Sequence, residues 1–254
     1  MDVSFPDQVV LVTGASTGIG AALAKAFGSA GARVVVHYNH SGAAAQTVAD
    51  EIGAAGGTAL LVQADLQDAT QLEEIVTQTL ERFGRIDILI NNAGSLVKRQ
   101  TVAEMNDDIF QTIMDLNMTA VFRMCRLVIP IMQRQGSGNI INVGSIAGRN
   151  GGGGGSVIYA TSKGAVATFT RGLAKEVAGD NIRVNALAPG VILTPFHERF
   201  TEADRMDAMV KTIPMGRAGT PEECVGAVFF LASEHMSGYV TGQIIEVNGG
   251  QLMP

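Results

Sequence analysis

Cysteines and long apolar runs are scarce in this chain. Its 254 residues include only Cys125 and Cys224, which lie far apart in helical patterns without neighbouring metal ligands. We therefore expect buried free thiols rather than a disulfide, a zinc site or a nucleophile. No uncharged apolar run approaches the roughly 18 residues of a membrane-spanning helix, and the first strand pattern begins near Gln8, which leaves no room for a signal peptide. We expect a soluble cytoplasmic protein.

Positive charge is also in short supply. The chain has 18 Lys and Arg residues against 24 Asp and Glu residues, which gives a net charge of −6. This balance, without a basic stripe, argues against a nucleic-acid partner. His37, His40, His197 and His235 show no metal-ligand spacing, so we expect surface or loop histidines and no metal site.

Short apolar runs alternate with helical patterns along the chain. The predicted strands cover residues 9–13, 33–37, 59–63, 86–91, 139–143, 182–186 and 244–247, and the predicted helices cover 19–30, 43–53, 69–83, 107–132, 159–177 and 221–231. No linker or charge block divides the pattern. It predicts one α/β domain over residues 1–254, with a doubly wound, seven-stranded parallel sheet flanked by helices. Ligands bind such sheets outside the carboxyl ends of the strands.

Two segments depart from this alternation. Residues 151–155 are a glycine run between the fifth strand and its helix, which we expect to be a mobile loop that adapts to substrate. Residues 195–215 are an irregular helical insertion rich in phenylalanine and methionine, including Phe196 and Phe200. We expect this insertion to act as a substrate lid.

A glycine-rich turn follows the first strand with the spacing G-x-x-x-G-x-G. Glycines let the backbone approach a pyrophosphate, and the following helix N-terminus offers free N–H groups and a partial positive charge. The turn therefore predicts dinucleotide binding by Gly14, Ser16, Thr17, Gly18, Ile19 and Gly20. For Ser16 and Thr17, phosphate contact and helix capping are both open.

Tyr159 and Lys163 are four residues apart and share one helix face. A cation beside a phenol favours the phenolate, so a pKa of ~10 is expected to fall toward neutrality. Such a pair also occurs by chance on solvated helices, and its significance here comes from the glycine turn. Ser145 directly follows the fifth strand and is favoured over Ser156 and Ser162 as a hydrogen-bond donor beside the tyrosine.

These motifs resemble the short-chain dehydrogenase/reductase family over nearly the whole chain, and most closely its 3-oxoacyl-(acyl carrier protein) reductase-like branch. The resemblance implies a Rossmann-type fold. It also implies that Ser145, Tyr159 and Lys163 are catalytic, together with Asn117, which matches the residue that kinks the fourth helix and holds a water in a proton relay. Ser145 and Tyr159 are one residue further apart than in many members, so the glycine run holds an insertion.

The resemblance implies further cofactor contacts at the ends of the strands. The matching residues are Asp65 and Leu66 near the adenine, Asn92, Ala93 and Gly94 after the fourth strand, Tyr159 and Lys163 at the ribose, and Pro189, Gly190, Ile192 and Thr194 at the nicotinamide.

The end of the second strand bears on which cofactor is used. NAD enzymes commonly place an acid there to bond the ribose hydroxyl, but residues 21–49 contain no Asp or Glu. The residues expected to contact the cofactor there are Tyr38, Asn39, His40 and Ser41. No arginine follows Tyr38 to bind a phosphate. We favour NADP(H), with NAD(H) or dual use as the alternative.

We expect an enzyme that interconverts a ketone and a secondary alcohol by hydride transfer. The resemblance implies a 3-oxoacyl substrate or, alternatively, a sugar or polyol. Arg134, Arg171 and Lys175 offer only a modest basic face to an acidic carrier protein. A cofactor-binding regulator and an epimerase or dehydratase with tightly held NAD are less favoured. The resemblance also implies a homotetramer assembled through the fourth and fifth helices and the C-terminal strands.

Overall fold

The computed structural model describes residues 3–254 and contains one parallel sheet of seven strands. The strands are β1 (Val9–Val12), β2 (Arg33–Tyr38), β3 (Thr58–Gln63), β4 (Ile88–Asn91), β5 (Gly138–Val143), β6 (Ile182–Pro189) and β7 (Ile244–Val247). Their order in the sheet is β3-β2-β1-β4-β5-β6-β7, and every neighbouring pair is parallel. The predicted doubly wound α/β fold is confirmed.

The helices lie on both faces of this sheet. They are α1 (Gly18–Ser29), α2 (Gly42–Ala54), α3 (Ala69–Phe83), α4 (Asp107–Met114), α5 (Ala120–Gln135), α6 (Ala147–Asn150), α7 (Val157–Val177), α8 (Pro195–Phe200), α9 (Ala203–Val210), α10 (Val225–Ala232) and α11 (Glu234–Ser237). Local signals explain several of their ends. The Asp68 carboxylate accepts from two backbone N–H groups at the start of α3, and Gly84 ends that helix in the left-handed region with φ 76°.

Two apolar layers cover the sheet because successive residues of each strand point to opposite faces. On one face, Leu11 of β1 packs in a cluster with Val128 of α5. On the other face, Val10 packs in a cluster with Leu23 of α1 and Val228 of α10. All five side chains are fully buried. This double burial explains why the strands appear as continuous apolar runs in the sequence.

The strand order reverses between β1 and β4, where chain connections leave in opposite directions. Val10 pairs with Ile88 and Val12 with Ile90 at this central position. The connections that follow β1 and β4 therefore lead to helices on opposite faces of the sheet, which leaves a crevice at its carboxyl edge.

The predicted single helix over residues 107–132 is wrong in two respects. A π-helix over Asp115–Thr119 separates α4 from α5, and α5 continues beyond residue 132 to Gln135 with Pro130 inside it. The proline removes one backbone hydrogen bond, but Val128, Ile131 and Met132 around it are buried, and their packing offsets that loss. Gly136, with φ 74°, ends the helix.

Other predicted bounds shift by a few residues. β6 continues to Pro189 because residues 186–189 pair with β7. The predicted helix over 221–231 begins as a 3₁₀ turn (Pro221–Cys224), with a capping box between Thr220 and Glu223. Within residues 3–254, no helix combines the length and the apolar character that crossing a membrane requires. The two cysteines are buried free thiols, as predicted.

Candidate active site

A cleft of about 830 Å³ lies at the carboxyl edge of the sheet. Its walls come from the turn after β1, the loops after β2, β4, β5 and β6, helix α7, and the segment 195–212. The residues of the sequence prediction that line it are Gly14, Ser16, Thr17, Gly18, Ile19, Asn39, His40, Ser41, Asn92, Ala93, Gly94, Ser145, Tyr159, Lys163, Pro189, Gly190, Ile192 and Thr194. The fold thus brings predicted site residues from six parts of the chain into one cavity.

The glycine turn approaches the loop after β4 closely. Gly14 and Gly18 have φ values of 63° and 55°, in the left-handed region that favours glycine. A Cβ on Gly14 would lie 3.0 Å from the Cα of Ala93. The side chain of Asn92 donates to the carbonyls of Thr13 and Gly14 at 2.9 and 3.0 Å, which ties the two loops together.

The N-terminus of α1 opens into the cleft. Thr17 is its N-cap residue and makes no side-chain capping bond in the described structure. The first-turn N–H groups of a helix have no intrahelical partner, so here they are available to an anionic ligand. Gly20 does not line the cleft, since it faces the glycine turn instead. A Cβ at this position would collide with the carbonyl oxygen of Gly14. Its small size allows the helix and the turn to pack.

His37 is buried, so the prediction that it is a surface or loop histidine is wrong. Its Nδ1 accepts a hydrogen bond from the N–H of Gly14 at 3.0 Å, and its Nε2 lies 3.1 Å from the carbonyl oxygen of Ala64. These partners require a neutral ring with the proton on Nε2. Burial lowers the pKa of His37, in keeping with the neutral form. The imidazole therefore supports the glycine turn from behind.

Three predicted cofactor residues near β2 and β3 do not line the cleft. The ring of Tyr38 lies against Gly42, whose Cβ would be 3.4 Å from it. The carboxylate of Asp65 accepts from the N–H of Gln67 at 3.0 Å, and Leu66 is buried in the core. The neighbouring residues after β2, Asn39 to Ser41, do face the cavity.

Ser145, Tyr159 and Lys163 lie on one wall of the cleft. Lys163 is buried at 3% exposure, and its Nζ donates to the carbonyl oxygen of Val143 at 2.8 Å. The same Nζ is 5.9 Å from the centroid of the Tyr159 ring. Ser145 lines the same part of the cleft, and its Oγ accepts from the N–H of Ala147 at 3.1 Å. The end of β5 and the first turns of α7 thus bring the three groups together.

The alternative serines are engaged elsewhere. The hydroxyl of Ser162 donates to the carbonyl of Tyr159 at 2.7 Å, and that of Ser156 donates to the carbonyl of Gly153 at 2.5 Å. Both bonds are local to the start of α7. Of the three serines, Ser145 is the one whose interaction lowers the pKa of Tyr159.

The pKa of Tyr159 does not fall toward neutrality, contrary to the sequence prediction. Burial raises the pKa of Tyr159 to about 12, and the interaction with Ser145 offsets only part of that rise. Burial also lowers the pKa of Lys163 to about 8. The desolvation of the two groups outweighs the attraction between the lysine cation and the phenolate. At neutral pH the phenol carries its proton and most of the lysine is charged.

Asn117 lies in the π-helix, behind the cleft wall rather than on it. Its Oδ1 accepts from the N–H of Ser95 at 3.0 Å, and its Nδ2 donates to the carbonyls of Ser95 and Ile113, both at 2.8 Å. A Cβ on Gly94 would lie 2.6 Å from this Oδ1 and 3.0 Å from the Nζ of Lys163. The glycine thus allows Asn117 and Lys163 to approach the same point.

The mouth of the cleft carries a group of cations that was not predicted from the sequence. Arg99 follows the β4 loop, and Arg199 and Arg205 belong to α8 and α9. Together with Lys163 they line a cavity in which no described lining residue is Asp or Glu. Because the whole chain carries a net charge of −6, this cleft has the opposite charge character from the rest of the molecule. Arg199 and Arg205 lie within the predicted lid, and their presence there was the sequence feature that could have indicated a cationic cleft.

Comparisons with known proteins agree with this geometry. A family model described as enoyl-(acyl carrier protein) reductase matches residues 14–251. The 3-oxoacyl-[acyl-carrier-protein] reductase of a Synechocystis species is 42% identical over 246 residues, which cover 97% of each chain. The crystal structure of a short-chain type dehydrogenase/reductase from Mycobacterium marinum superposes with a TM-score of 0.93 at 39% identity, covering 100% of this chain and 98% of that one.

A further solved structure bears on the cofactor. It is a putative NAD(P)-dependent gluconate 5-dehydrogenase from Beutenbergia cavernae with NADP bound at low occupancy. This structure has a TM-score of 0.91 and 36% identity, and the match covers 99% of each chain.

Proposed function

Because the chain belongs to the short-chain dehydrogenase/reductase family and is an NAD(P)-dependent oxidoreductase of ketones and secondary alcohols, we propose that Tyr159 is its proton carrier and NADP(H) its preferred cofactor. The observation that carries the proposal is the shared wall of Ser145, Tyr159 and Lys163 in the same cleft as the glycine turn. One cavity thus holds both the proton-transfer groups and a pyrophosphate cradle.

The residues of the cleft fit a nicotinamide dinucleotide. The left-handed glycines expose backbone to the cavity, and the uncapped start of α1 suits a pyrophosphate. We assign Thr17 and Ile19 to the pyrophosphate, and Lys163 to the nicotinamide ribose hydroxyls. Thr194 is assigned to the carboxamide. When bound, the nicotinamide supplies or accepts the hydride.

The protein's own contribution is proton transfer and charge stabilisation. In the reducing direction, Tyr159 Oη donates its proton to the ketone oxygen, and Ser145 Oγ donates a hydrogen bond to the same oxygen. Lys163 stabilises the phenolate that this step leaves. The raised pKa of Tyr159 supports the proposal because the phenol is protonated before the reaction begins.

Asn117 serves as a positioning residue in this proposal. Both of its amide hydrogens are used by the carbonyls of Ser95 and Ile113, while its Oδ1 keeps a second lone pair beyond the bond from Ser95. That lone pair can hold the water through which the proton of Tyr159 is exchanged with solvent.

The preference for NADP(H) is supported by the residues after β2. Asn39, His40 and Ser41 face the cleft, and no carboxylate among the described lining residues would repel a 2′-phosphate. These side chains offer hydrogen-bond donors to that phosphate. NAD(H) remains the alternative, since no arginine lies among these three residues.

Two substrate classes compete for the cleft. The Synechocystis relative is named for 3-oxoacyl-[acyl-carrier-protein] reduction, which supports a 3-oxoacyl thioester as the first candidate. The second candidate is a sugar, polyol or sugar acid, and it is favoured by polar and cationic groups at the mouth of the cleft, where Asn150, His197 and Arg205 lie. We assign segment 195–215 as a lid over either substrate.

We also propose a cytoplasmic homotetramer. The exposed rings of Phe110 and Phe122, on α4 and α5, offer apolar surface to a second copy, and Phe122 stacks edge-on against Phe169 of α7. Val121 and Val166, on α5 and α7, are buried within the monomer core and offer no such surface. The free buried thiols support a reducing compartment. Size-exclusion chromatography with light scattering measures the assembly directly.

A kinetic screen tests the proposed function. Oxidation of NADPH and NADH is followed with 3-oxoacyl thioesters, keto sugars, keto sugar acids and simple ketones as substrates. We expect turnover of at least one class and a higher kcat/KM with NADPH than with NADH. Cofactor binding without turnover of any ketone would support a regulator instead, and a higher kcat/KM with NADH would reverse the cofactor assignment.

A further inference from the structure

Two arginines at the mouth of the cleft converge on one backbone carbonyl. Arg99 Nη1 and Arg205 Nη2 donate to the oxygen of Gly154 at 2.9 and 3.2 Å. Arg99 is held further by a bond from its Nε to the carbonyl of Phe200 at 3.2 Å. Residues far apart in the sequence therefore place two guanidinium groups side by side.

No carboxylate within residues 3–254 forms a salt bridge with either of these two guanidinium groups. The arginines that form salt bridges within residues 3–254 are Arg33, Arg85, Arg149 and Arg217, whereas Arg99 and Arg205 form none there. Burial and the neighbouring charge of Arg205 lower the pKa of Arg99. Like charges held together in a partly buried site disfavour each other. An anion between them would relieve that repulsion.

The glycine run at residues 151–155 leaves space for the side chains of Arg99 and Arg205. A Cβ on Gly153 would lie 2.6 Å from Arg205 Nη2, and a Cβ on Gly155 would lie 2.8 Å from Arg99 Cγ. Larger residues at these positions would push both side chains away from Gly154. The run is therefore more than a flexible connection, because it packs against a cationic pair.

A row of aromatic rings links this pair to the reactive phenol. The ring centroids of Tyr159 and Phe196 are 5.7 Å apart, and those of Phe196 and Phe200 are 5.2 Å apart. Arg99 is bonded to the backbone of Phe200. All of these residues line the same cavity, so one ligand can reach the tyrosine at one end and the arginines at the other.

We propose that Arg99 and Arg205 bind an anionic group, a carboxylate or a phosphate, that the ketone substrate carries several bonds from its carbonyl. This proposal rests on the proposed function and narrows its substrate class. Guanidinium groups suit the role because their planar forks bind carboxylate and phosphate oxygens in pairs. Each arginine has five N–H donors, and the bonds described above use two on Arg99 and one on Arg205.

The test compares matched ketones that differ only in their far end. A series of methyl-ketone carboxylates of increasing chain length is assayed beside their methyl esters and the corresponding phosphate monoesters. We expect kcat/KM for the best anion to exceed that for its neutral ester by about 10-fold or more, mainly through a lower KM. The carboxylate and phosphate arms distinguish a keto acid from a phosphorylated ketone as the substrate.

Substitution of the arginines assigns the preference to them. Arg99→Gln and Arg205→Gln should each lower kcat/KM for the anion by about 10-fold while leaving the ester unchanged. Arg82→Gln removes the same charge from an exposed position on α3 and should change neither substrate. Turnover of the ester by the variants shows that the hydride-transfer site is intact.

Binding of the anion measured without turnover separates this proposal from the proposed function. Isothermal titration of the same carboxylates and phosphates should detect binding to the wild type and none to the Arg99→Gln/Arg205→Gln double variant. No binding to the wild type, equal turnover of acid and ester, or equal losses for both in the variants would overturn the anion site. Anion binding without turnover of any ketone would retain the site and contradict the proposed reaction.

Discussion

Asn117 and Ser95 exchange two hydrogen bonds between the π-helix and the loop after β4. Asn117 Oδ1 accepts from the Ser95 N–H at 3.0 Å, and Asn117 Nδ2 donates to the Ser95 carbonyl at 2.8 Å. A third bond reaches the carbonyl of Ile113, one turn earlier in the helix. The side chain therefore stabilises both the irregular turn and the loop that lines the cleft.

Asn117→Ala should destabilise the protein and slow the reaction. The substitution removes the partners of half-buried backbone groups of Ser95 and of the buried carbonyl of Ile113, at a cost of roughly 1–3 kcal/mol. Urea unfolding measures that loss, and kcat should fall because the loop beside Lys163 relaxes. An unchanged midpoint and an unchanged kcat would show that these bonds position nothing.

Gly94→Ala should impair catalysis because the added Cβ meets two buried groups. It would lie 2.6 Å from Asn117 Oδ1 and 3.0 Å from Lys163 Nζ. We expect kcat/KM to fall by about 10-fold, a loss of ~1.4 kcal/mol in transition-state stabilisation. Gly53→Ala is the matched control, since no atom lies within 4 Å of its added Cβ in α2 and it should raise stability by ~0.5–1 kcal/mol. Equal activity of the two variants would contradict the crowding at Gly94.

Asn39→Asp should shift the cofactor preference toward NADH. The new carboxylate would face the cleft at the end of β2 and repel a 2′-phosphate. We expect the ratio of kcat/KM for NADPH to that for NADH to fall by about 10-fold. Gln78→Glu makes the same charge change at an exposed position of α3 and should leave the ratio unaltered. An unchanged ratio in Asn39→Asp would place the phosphate elsewhere.

Acidification should weaken the fold through His37. Its pKa is lowered by burial from the ordinary value of 6.5, so the neutral ring contributes stability above that pH and the contribution is lost as pH falls through the folded-state pKa. The free energy of unfolding, measured by urea titration between neutral and mildly acidic pH, should therefore fall more steeply for the wild type than for His37→Gln. His235→Gln, at an exposed position, should retain the wild-type slope. Identical slopes for all three proteins would contradict the buried neutral imidazole.

The sheet and the edge that carries the cleft were predictable from sequence because their signals are local. Strands covered on both faces read as continuous apolar runs, and Gly14 and Gly18 mark the turn where φ must be positive. Lys163 and Tyr159 are close because of helical spacing alone. For these residues, neighbours along the chain decide the geometry.

The remaining features depend on contacts between distant parts of the chain. The π-helix is stabilised by Asn117 bonds to Ser95, and the burial of His37 follows from the approach of Gly14. The spacing of Arg99 and Arg205 gives no sign that both reach the carbonyl of Gly154. Contacts between residues this far apart along the chain cannot be predicted from local sequence patterns.

The pKa of Tyr159 shows the same limit in energetic terms. Spacing predicts a nearby cation, but the extent of burial decides whether attraction or desolvation dominates. The direction predicted from the sequence for the pKa shift of Tyr159 was therefore wrong, although the Tyr159 and Lys163 pair was identified correctly.

The Tyr159→Phe variant tests most directly whether Tyr159 carries the proton in the reaction. The substitution removes only the phenolic oxygen and leaves the ring that packs against Phe196. The account predicts that kcat falls by about 100-fold or more while the dissociation constant for NADPH, measured by fluorescence titration, stays at the wild-type value. Turnover close to wild type would contradict the central claim, because another group would then carry the proton.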